Sequence, residues 1–256
     1  MGKYVARHLG SMVGKRVADT VFLHGWGLSG EIWSQTLAQL PGAARDLPGY
    51  GATPVVRPYS AESLADALAQ EISAPANLVG WSMGGMVALA LAARHPDKVA
   101  RLVLVGSSPT FAARADWPHG MAPEVLGEFA RSLAEDYRTT LLRFLSLQAR
   151  GGDAARAVIG QLRARMQAQA EPDPEVLAAG LELLRRVDLR DQVGRVRCPS
   201  LVVHGAYDML CAPAAGAWLA DHLPDARLAL HQRAAHAPFL SHPDWFVATV
   251  KEFLHG

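Results

Sequence analysis

Gly80-Trp81-Ser82-Met83-Gly84-Gly85 follows the apolar run Ala76-Asn77-Leu78-Val79 and leads into an Ala/Leu-rich stretch that ends at His95-Pro96. A short apolar run, a glycine-flanked serine and an immediate helical pattern read as strand, sharp turn and helix. Glycines are needed where a side chain would collide with the neighbouring strand or helix backbone. On such a strand-to-helix elbow the serine hydroxyl projects into the cleft, and the following helix presents N–H groups and a positive dipole end. The plainer reading is a tight turn with an incidental serine. The buried strand before it and the helix directly after it favour the elbow.

Outward from this turn, short apolar runs alternate with longer helical patterns. Strands are expected at 17–23, 76–79, 102–105, 201–203 and 227–230, and helices at 34–40, 60–72, 85–95, 214–223 and 243–254. This alternation implies βαβ crossovers and a mainly parallel sheet. Between 105 and 201 no convincing strand occurs, and the patterns at 126–147, 154–169 and 174–186 are helical. That block is too long for a crossover. It reads as a helical cap over the C-terminal edge of the sheet, where ligands bind in open α/β folds. The expected division is a core in two parts, 1–110 and 196–256, with the cap at 111–195.

The 256 residues are 50% apolar and 19% charged with a formal net charge of +1, which excludes a disordered chain. It gives no global reason to expect nucleic acid or a membrane surface as partner. Cys198 and Cys211 cannot form a disulfide framework, and no Cys/His cluster suggests a metal. The start of the chain carries Lys3, Arg7, Lys15 and Arg16 without an apolar signal region. The apolar stretch 86–93 is far short of the ~20 residues that span a bilayer. A cytoplasmic, monomeric protein without metal or cofactor is expected.

A serine nucleophile needs a base, and the base an acid. In this architecture the acid follows a late strand and the histidine follows the last one. His204-Gly205-Ala206-Tyr207-Asp208 leaves the strand at 201–203, which selects Asp208; the plainer role for it is a turn-forming carboxylate. His236 lies among Ala234, Ala235 and Ala237 between the last strand and the final helix. Its rivals are His222 late in a helix, His231 at a strand end and His242 before Pro243. Gly106-Ser107-Ser108 offers no acid at the other common position. His24-Gly25-Trp26-Gly27 follows the first strand, and the N–H groups of Trp26 and Met83 are the candidate oxyanion donors. The His24 side chain is expected to order that turn, and Asp46-Leu47-Pro48-Gly49-Tyr50-Gly51 to serve as scaffold.

The cap segment 137–170 contains Arg138, Arg143, Arg150, Arg156, Arg163 and Arg165 against a single acid, Asp153. This is either a solvated helix face or a docking patch for an acidic partner. Phe144, Leu145, Leu147 and Gln148 are either core or the roof of an acyl pocket.

With these residues in place, the chain resembles the α/β-hydrolases, and within them the BioH-type pimeloyl-[acyl-carrier protein] methyl ester esterases of biotin synthesis. The resemblance rests on HGWGL, DLPGYG, GWSMGG, LVGSSPTF, RFLSLQ, GLELLRRVDLR and AAHAPFLSHP, and spans residues 21–253. GSSPTF and RFLSLQ are its most discriminating segments. The resemblance implies a serine carboxylic ester hydrolase with Ser82, Asp208 and His236 as triad. Trp26 and Met83 would provide oxyanion and substrate contacts, and Phe144, Leu145, Ser146, Leu147 and Gln148 would line the acyl channel. Arg143 and Arg156, with Arg138 beside them, would meet an acyl carrier protein bearing the methyl-pimeloyl chain. A general short-chain carboxylesterase would have the same fold and triad and differ in the cap, and a non-catalytic binding module would have lost a triad member. Between Trp33 and Asp46 the chain is a few residues shorter than the family pattern. Gly42-Ala43-Ala44-Arg45 is a poor strand where an apolar one is expected.

Overall fold

A computed structural model describes residues 18–148, 152 and 154–256. The strands are β1 (Thr20–Leu23), β2 (Ala43–Arg45), β3 (Ala76–Trp81), β4 (Val99–Val105), β5 (Ser200–Gly205) and β6 (Ala226–His231). They form one sheet in the order β2-β1-β3-β4-β5-β6, with every pairing parallel. Every residue of β3 and β5 is buried, and apolar runs (Leu78-Val79 and Leu201-Val202-Val203) form their middles, as in parallel strands covered on both faces. The poor strand at 43–45 does form. It sits at the sheet edge among the described residues, where its pattern of exposed, half-buried and exposed residues needs little apolar character.

The helices of the α/β framework are α1 (Ser34–Leu37), α2 (Ala61–Glu71), α3 (Met83–Arg94), α9 (Pro213–His222), α10 (Pro238–Ser241) and α11 (Pro243–His255). Ser60 caps α2, its hydroxyl accepting from the Ser63 N–H at 3.2 Å. Helix α3 is buried on all sides from Met83 to Ala92 and packs on β3 and β4. It begins at Met83, two residues earlier than the sequence pattern indicates.

Between β4 and β5 lie α4 (Pro123–Glu135), α5 (Tyr137–Gln148), α6 (Ala155–Ala168), α7 (Pro174–Arg186) and α8 (Arg190–Val193). The pattern at 126–147 is two helices rather than one. Asp136 takes an extended conformation (φ −149°, ψ 91°), and its carboxylate accepts from the Thr139 N–H at 3.1 Å, ending one helix and capping the next. Among the described residues no helix is long and apolar enough to cross a membrane.

Candidate active site

All the candidate groups lie just past the C-terminal ends of parallel strands: Trp26 after β1, Ser82 after β3, Gly106 after β4, Asp208 after β5 and His236 after β6. Ser82 has φ 54° and ψ −119°, and among the described residues no other non-glycine has positive φ. That strain is held by tight packing. A Cβ on Gly80 would lie 2.5 Å from the Gly84 carbonyl oxygen, and one on Gly84 would lie 2.4 Å from that of His24. Ser82 N–H donates to the Val105 carbonyl at 3.0 Å, and the Ser107 hydroxyl donates to the Ser82 carbonyl at 3.0 Å. Met83 stands in the first turn of α3, where backbone N–H groups have no intrahelical acceptor.

Asp208 and His236 meet. His236 Nδ1 donates to Asp208 Oδ2 at 2.8 Å, both side chains being buried. The other carboxylate oxygen, Oδ1, accepts from the N–H groups of Leu210 and Cys211, each at 2.9 Å. Burial works to raise the Asp208 carboxyl, but the charge interaction with His236 and the hydrogen bonds from His204 and His236 outweigh it and hold the carboxyl well below the usual range. His236 Nε2 is buried and has no hydrogen-bond partner among the described residues, so the atom that would act on a serine hydroxyl is uncommitted. The Trp81 indole donates to the His236 carbonyl at 2.9 Å, tying the histidine loop to the residue that precedes Ser82. Gly106 (φ 48°) completes the enclosure. A Cβ there would meet His236 Nδ1 at 3.2 Å and Asp208 Oδ2 at 3.3 Å. The position with no acid in sequence is therefore a floor for the acid–base pair. The rivals His222, His231 and His242 sit at the end of α9, the end of β6 and the start of α11.

The His24 turn is built as scaffold. His24 Nδ1 donates to the Gly25 carbonyl at 2.8 Å, and Nε2 accepts from the Leu47 N–H at 3.0 Å, which fixes a neutral tautomer. Burial lowers its pKa to about 4. Asp46 Oδ1 accepts from the Gly30 N–H at 2.7 Å, and Tyr50 accepts from the Gly27 N–H at 3.3 Å. The helical insert grips the same turn. The Trp26 indole donates to the Leu177 carbonyl of α7 at 2.9 Å, Gln169 Nε2 donates to the Gly27 carbonyl at 3.0 Å, and the Phe144 ring packs edge-on to Trp26 at 5.0 Å.

The other expected residues are less uniform. Phe144 is buried between Trp26 and Phe129. The Ser146 hydroxyl donates to the Leu142 carbonyl of its own helix at 2.8 Å, and Leu147 packs on the core. Leu145 and Gln148 lie on α5, but their side chains fall outside the described residues, as do Arg150 and Asp153 and the N-terminal Lys3, Arg7, Lys15 and Arg16. Arg138 pairs with Glu171, and Arg143 pairs with Glu128 at 2.8 Å while lying over the Phe129 ring. Both acids lie outside the segment 137–170, so the excess of positive charge is smaller in space than in sequence. Arg156 is exposed on α6. Sequence reading misses Gly106, Ser107, Gln169 and His204. A lone histidine closing the otherwise apolar run Leu201-Val202-Val203 is the one signal that pointed to any of them.

A cavity of about 870 Å³ lies at the opposite ends of β1 and β3, lined by Asp19, Thr20, Ala76 and Lys251. It touches none of Ser82, Asp208 and His236, and it borders Ala18, where the described chain begins.

Residues 21–243 match the alpha/beta hydrolase fold family. The chain belongs to that family. Within it, the chain is 44% identical over 247 residues to the pimeloyl-[acyl-carrier protein] methyl ester esterase of Aromatoleum aromaticum, covering 93% of this chain and 98% of that relative. It is 43% identical to the Chromobacterium violaceum protein of the same name, over 92% of this chain and 94% of the relative. Among solved structures, an esterase from Exiguobacterium antarcticum superposes with a TM-score of 0.83 at 22% identity, over 93% of this chain and 92% of that one, a likeness of fold.

Proposed function

We propose that this α/β-hydrolase is a serine carboxylic ester hydrolase that removes the methyl group from a pimeloyl methyl ester carried on acyl carrier protein, the biotin-synthesis step the sequence resemblance implies. The observation that carries the reading is the pairing of full-length relatives named for this reaction with a buried Asp208–His236 contact beside the strained Ser82 turn. Ser82 Oγ attacks the ester carbonyl as His236 Nε2 takes its proton. Asp208 fixes the imidazole tautomer and stabilises the cation. The N–H groups of Trp26 and Met83 receive the oxyanion. His236 then protonates the departing methoxide, and a water activated by the same nitrogen releases the free carboxylate and restores Ser82. The reading includes a cytoplasmic monomer whose helical insert caps the site and faces the carrier. Comparing turnover of methyl-pimeloyl carrier protein with that of p-nitrophenyl esters of increasing chain length tests the substrate assignment. A preference for the free esters would leave a general short-chain carboxylesterase.

The arginines part these two readings. Arg143 is engaged with Glu128, so Arg156→Glu is the cleaner probe and Arg143→Glu the secondary one. If the cap face docks an acidic carrier, reversal raises KM for the carrier-bound ester by roughly tenfold, chiefly through association, and leaves a small methyl ester untouched. Added salt weakens carrier-ester turnover in wild type, since exposed charges are screened beyond ~8 Å at physiological ionic strength. Equal responses of both substrates to mutation and salt would remove the docking role.

The grip of the insert on the oxyanion turn gives a second expectation. Gln169→Ala releases the Gly27 carbonyl and loosens the segment that bears the Trp26 N–H. Because removal of an entire oxyanion donor costs ~10²–10³ in rate, loosening one is expected to lower kcat by about 3–10-fold for free and carrier-bound esters alike. A change in KM for the carrier ester alone, measured by steady-state kinetics on both substrates, would instead assign Gln169 to the docking face.

A further inference from the structure

His204 is the last side chain before Gly205 at the end of β5, and it is buried. A polar ring in a strand that otherwise reads Leu201-Val202-Val203 carries a desolvation cost that an apolar residue there avoids. Its Nε2 lies 2.8 Å from the Cys211 carbonyl oxygen and 3.3 Å from Asp208 Oδ2. A carbonyl can only accept, so Nε2 carries the proton and gives it to Cys211, while the same edge of the ring stands 3.3 Å from the carboxylate oxygen that receives His236 Nδ1. The other ring nitrogen, Nδ1, is buried with no partner among the described residues. It lies against Gly216 of α9, where a Cβ would stand 2.4 Å away. The ring thus satisfies only the edge that faces Asp208.

We propose that His204 is a positioning residue for the acid–base pair: its protonated Nε2 edge, 3.3 Å from Asp208 Oδ2, holds that oxygen toward His236 and draws off part of the carboxylate's negative charge. This rests on the reading of Asp208 and His236 as acid and base. With three donors on it, from Leu210, Cys211 and His236, and the His204 ring 3.3 Å from Oδ2, the carboxylate has no free rotation. Each donor to Oδ2 reduces the pull that oxygen exerts on the His236 cation. The titratable group facing His204 is Asp208, with His236 behind it, and Cys211 meets the ring through its backbone carbonyl. The register partner on β6 is Leu230, and α9 presents Gly216. Burial lowers the His204 pKa, but the interaction with the Asp208 carboxylate raises it more, for a net upward shift. Burial pushes the Cys211 thiol upward, so it stays neutral.

The test is the acidic limb of the pH profile of kcat/KM on a short p-nitrophenyl ester, for wild type, His204→Phe, His204→Gln and Asp208→Asn. Phe keeps the ring volume and removes the donor, and the limb is expected to move up by about half to one pH unit. Gln restores an N–H near the same place and returns the limb toward the wild-type position. A purely structural His204 would lower the melting temperature of the Phe variant and leave the limb where it was, and that result overturns the proposal. If the Phe variant does not fold, ¹⁵N-histidine NMR of the wild type decides. The His204 Nε2–H resonance is expected to be present and protected from exchange, and to shift in Asp208→Asn. An unchanged resonance also overturns it. Full activity in Asp208→Asn would be a different failure, that of the acid–base reading itself.

Discussion

Ser82→Ala is expected to fold like wild type and to lose kcat by about 10³–10⁶, because an oxyanion site and substrate binding without a nucleophile retain only modest catalysis. The structure explains why folding survives. The strained φ of 54° is imposed by packing at Gly80, Gly84 and Gly85, and by the Ser82 N–H bond to Val105 and the Ser107 bond to the Ser82 carbonyl. None of these uses the Ser82 hydroxyl. Alanine keeps the Cβ that lies over Gly25, where a built Cβ would be 3.3 Å away. A fluorophosphonate probe should label wild type at Ser82 and leave the variant unlabelled. Labelling at Ser107 or Ser108, or near-wild-type turnover in Ser82→Ala, would sink the assignment of the nucleophile.

Local chemistry made the elbow legible. A strand buried on both faces, three glycines whose absent side chains make room for backbone, and a helix buried on all sides each leave a signature within a dozen residues. Asp208 and His236 were legible for a related reason, as each follows a recognisable strand by a short loop. The break at Asp136 was not, because a helix stop and a helix start one residue apart leave the apolar periodicity of 126–147 nearly unbroken. Edge strand β2 was hidden because edge position relaxes the apolar pattern that identifies a strand. The hold of the insert on Trp26 was out of reach altogether: the bonds Trp26–Leu177 and Gln169–Gly27 join residues 151 and 142 apart in sequence, and at the insert's end neither Leu177 nor Gln169 belongs to a local motif. The pairing of Arg143 with Glu128 and of Arg138 with Glu171 was out of reach for the same reason, since each joins groups that only folding brings together.

Asp208→Asn is expected to lower kcat by about 10⁴ by analogy with serine hydrolases in which the same change forces the wrong imidazole tautomer. The hydrogen bonds here give that expectation a direction. The N–H groups of Leu210 and Cys211, both at 2.9 Å, can be satisfied only by an oxygen, so the amide of an asparagine must place its carbonyl where Oδ1 now lies. Its NH₂ then takes the place of Oδ2, facing His236 Nδ1 and the Nε2–H of His204. His236 can accept from that NH₂ only through an unprotonated Nδ1. The proton must move to Nε2, the atom that has to receive the serine proton. His204 keeps its bond to the Cys211 carbonyl, so the loop retains most of its anchoring and the melting temperature should change little. The discriminating measurement is kcat beside thermal unfolding. A large fall in rate with a nearly unchanged transition assigns the acid to Asp208. A variant that stays active moves the search to the carboxylates of the insert, beginning with Asp116. That side chain is 69% exposed and already held by Arg190 at 2.9 Å, so it would have to leave an ion pair and a solvated position to reach His236.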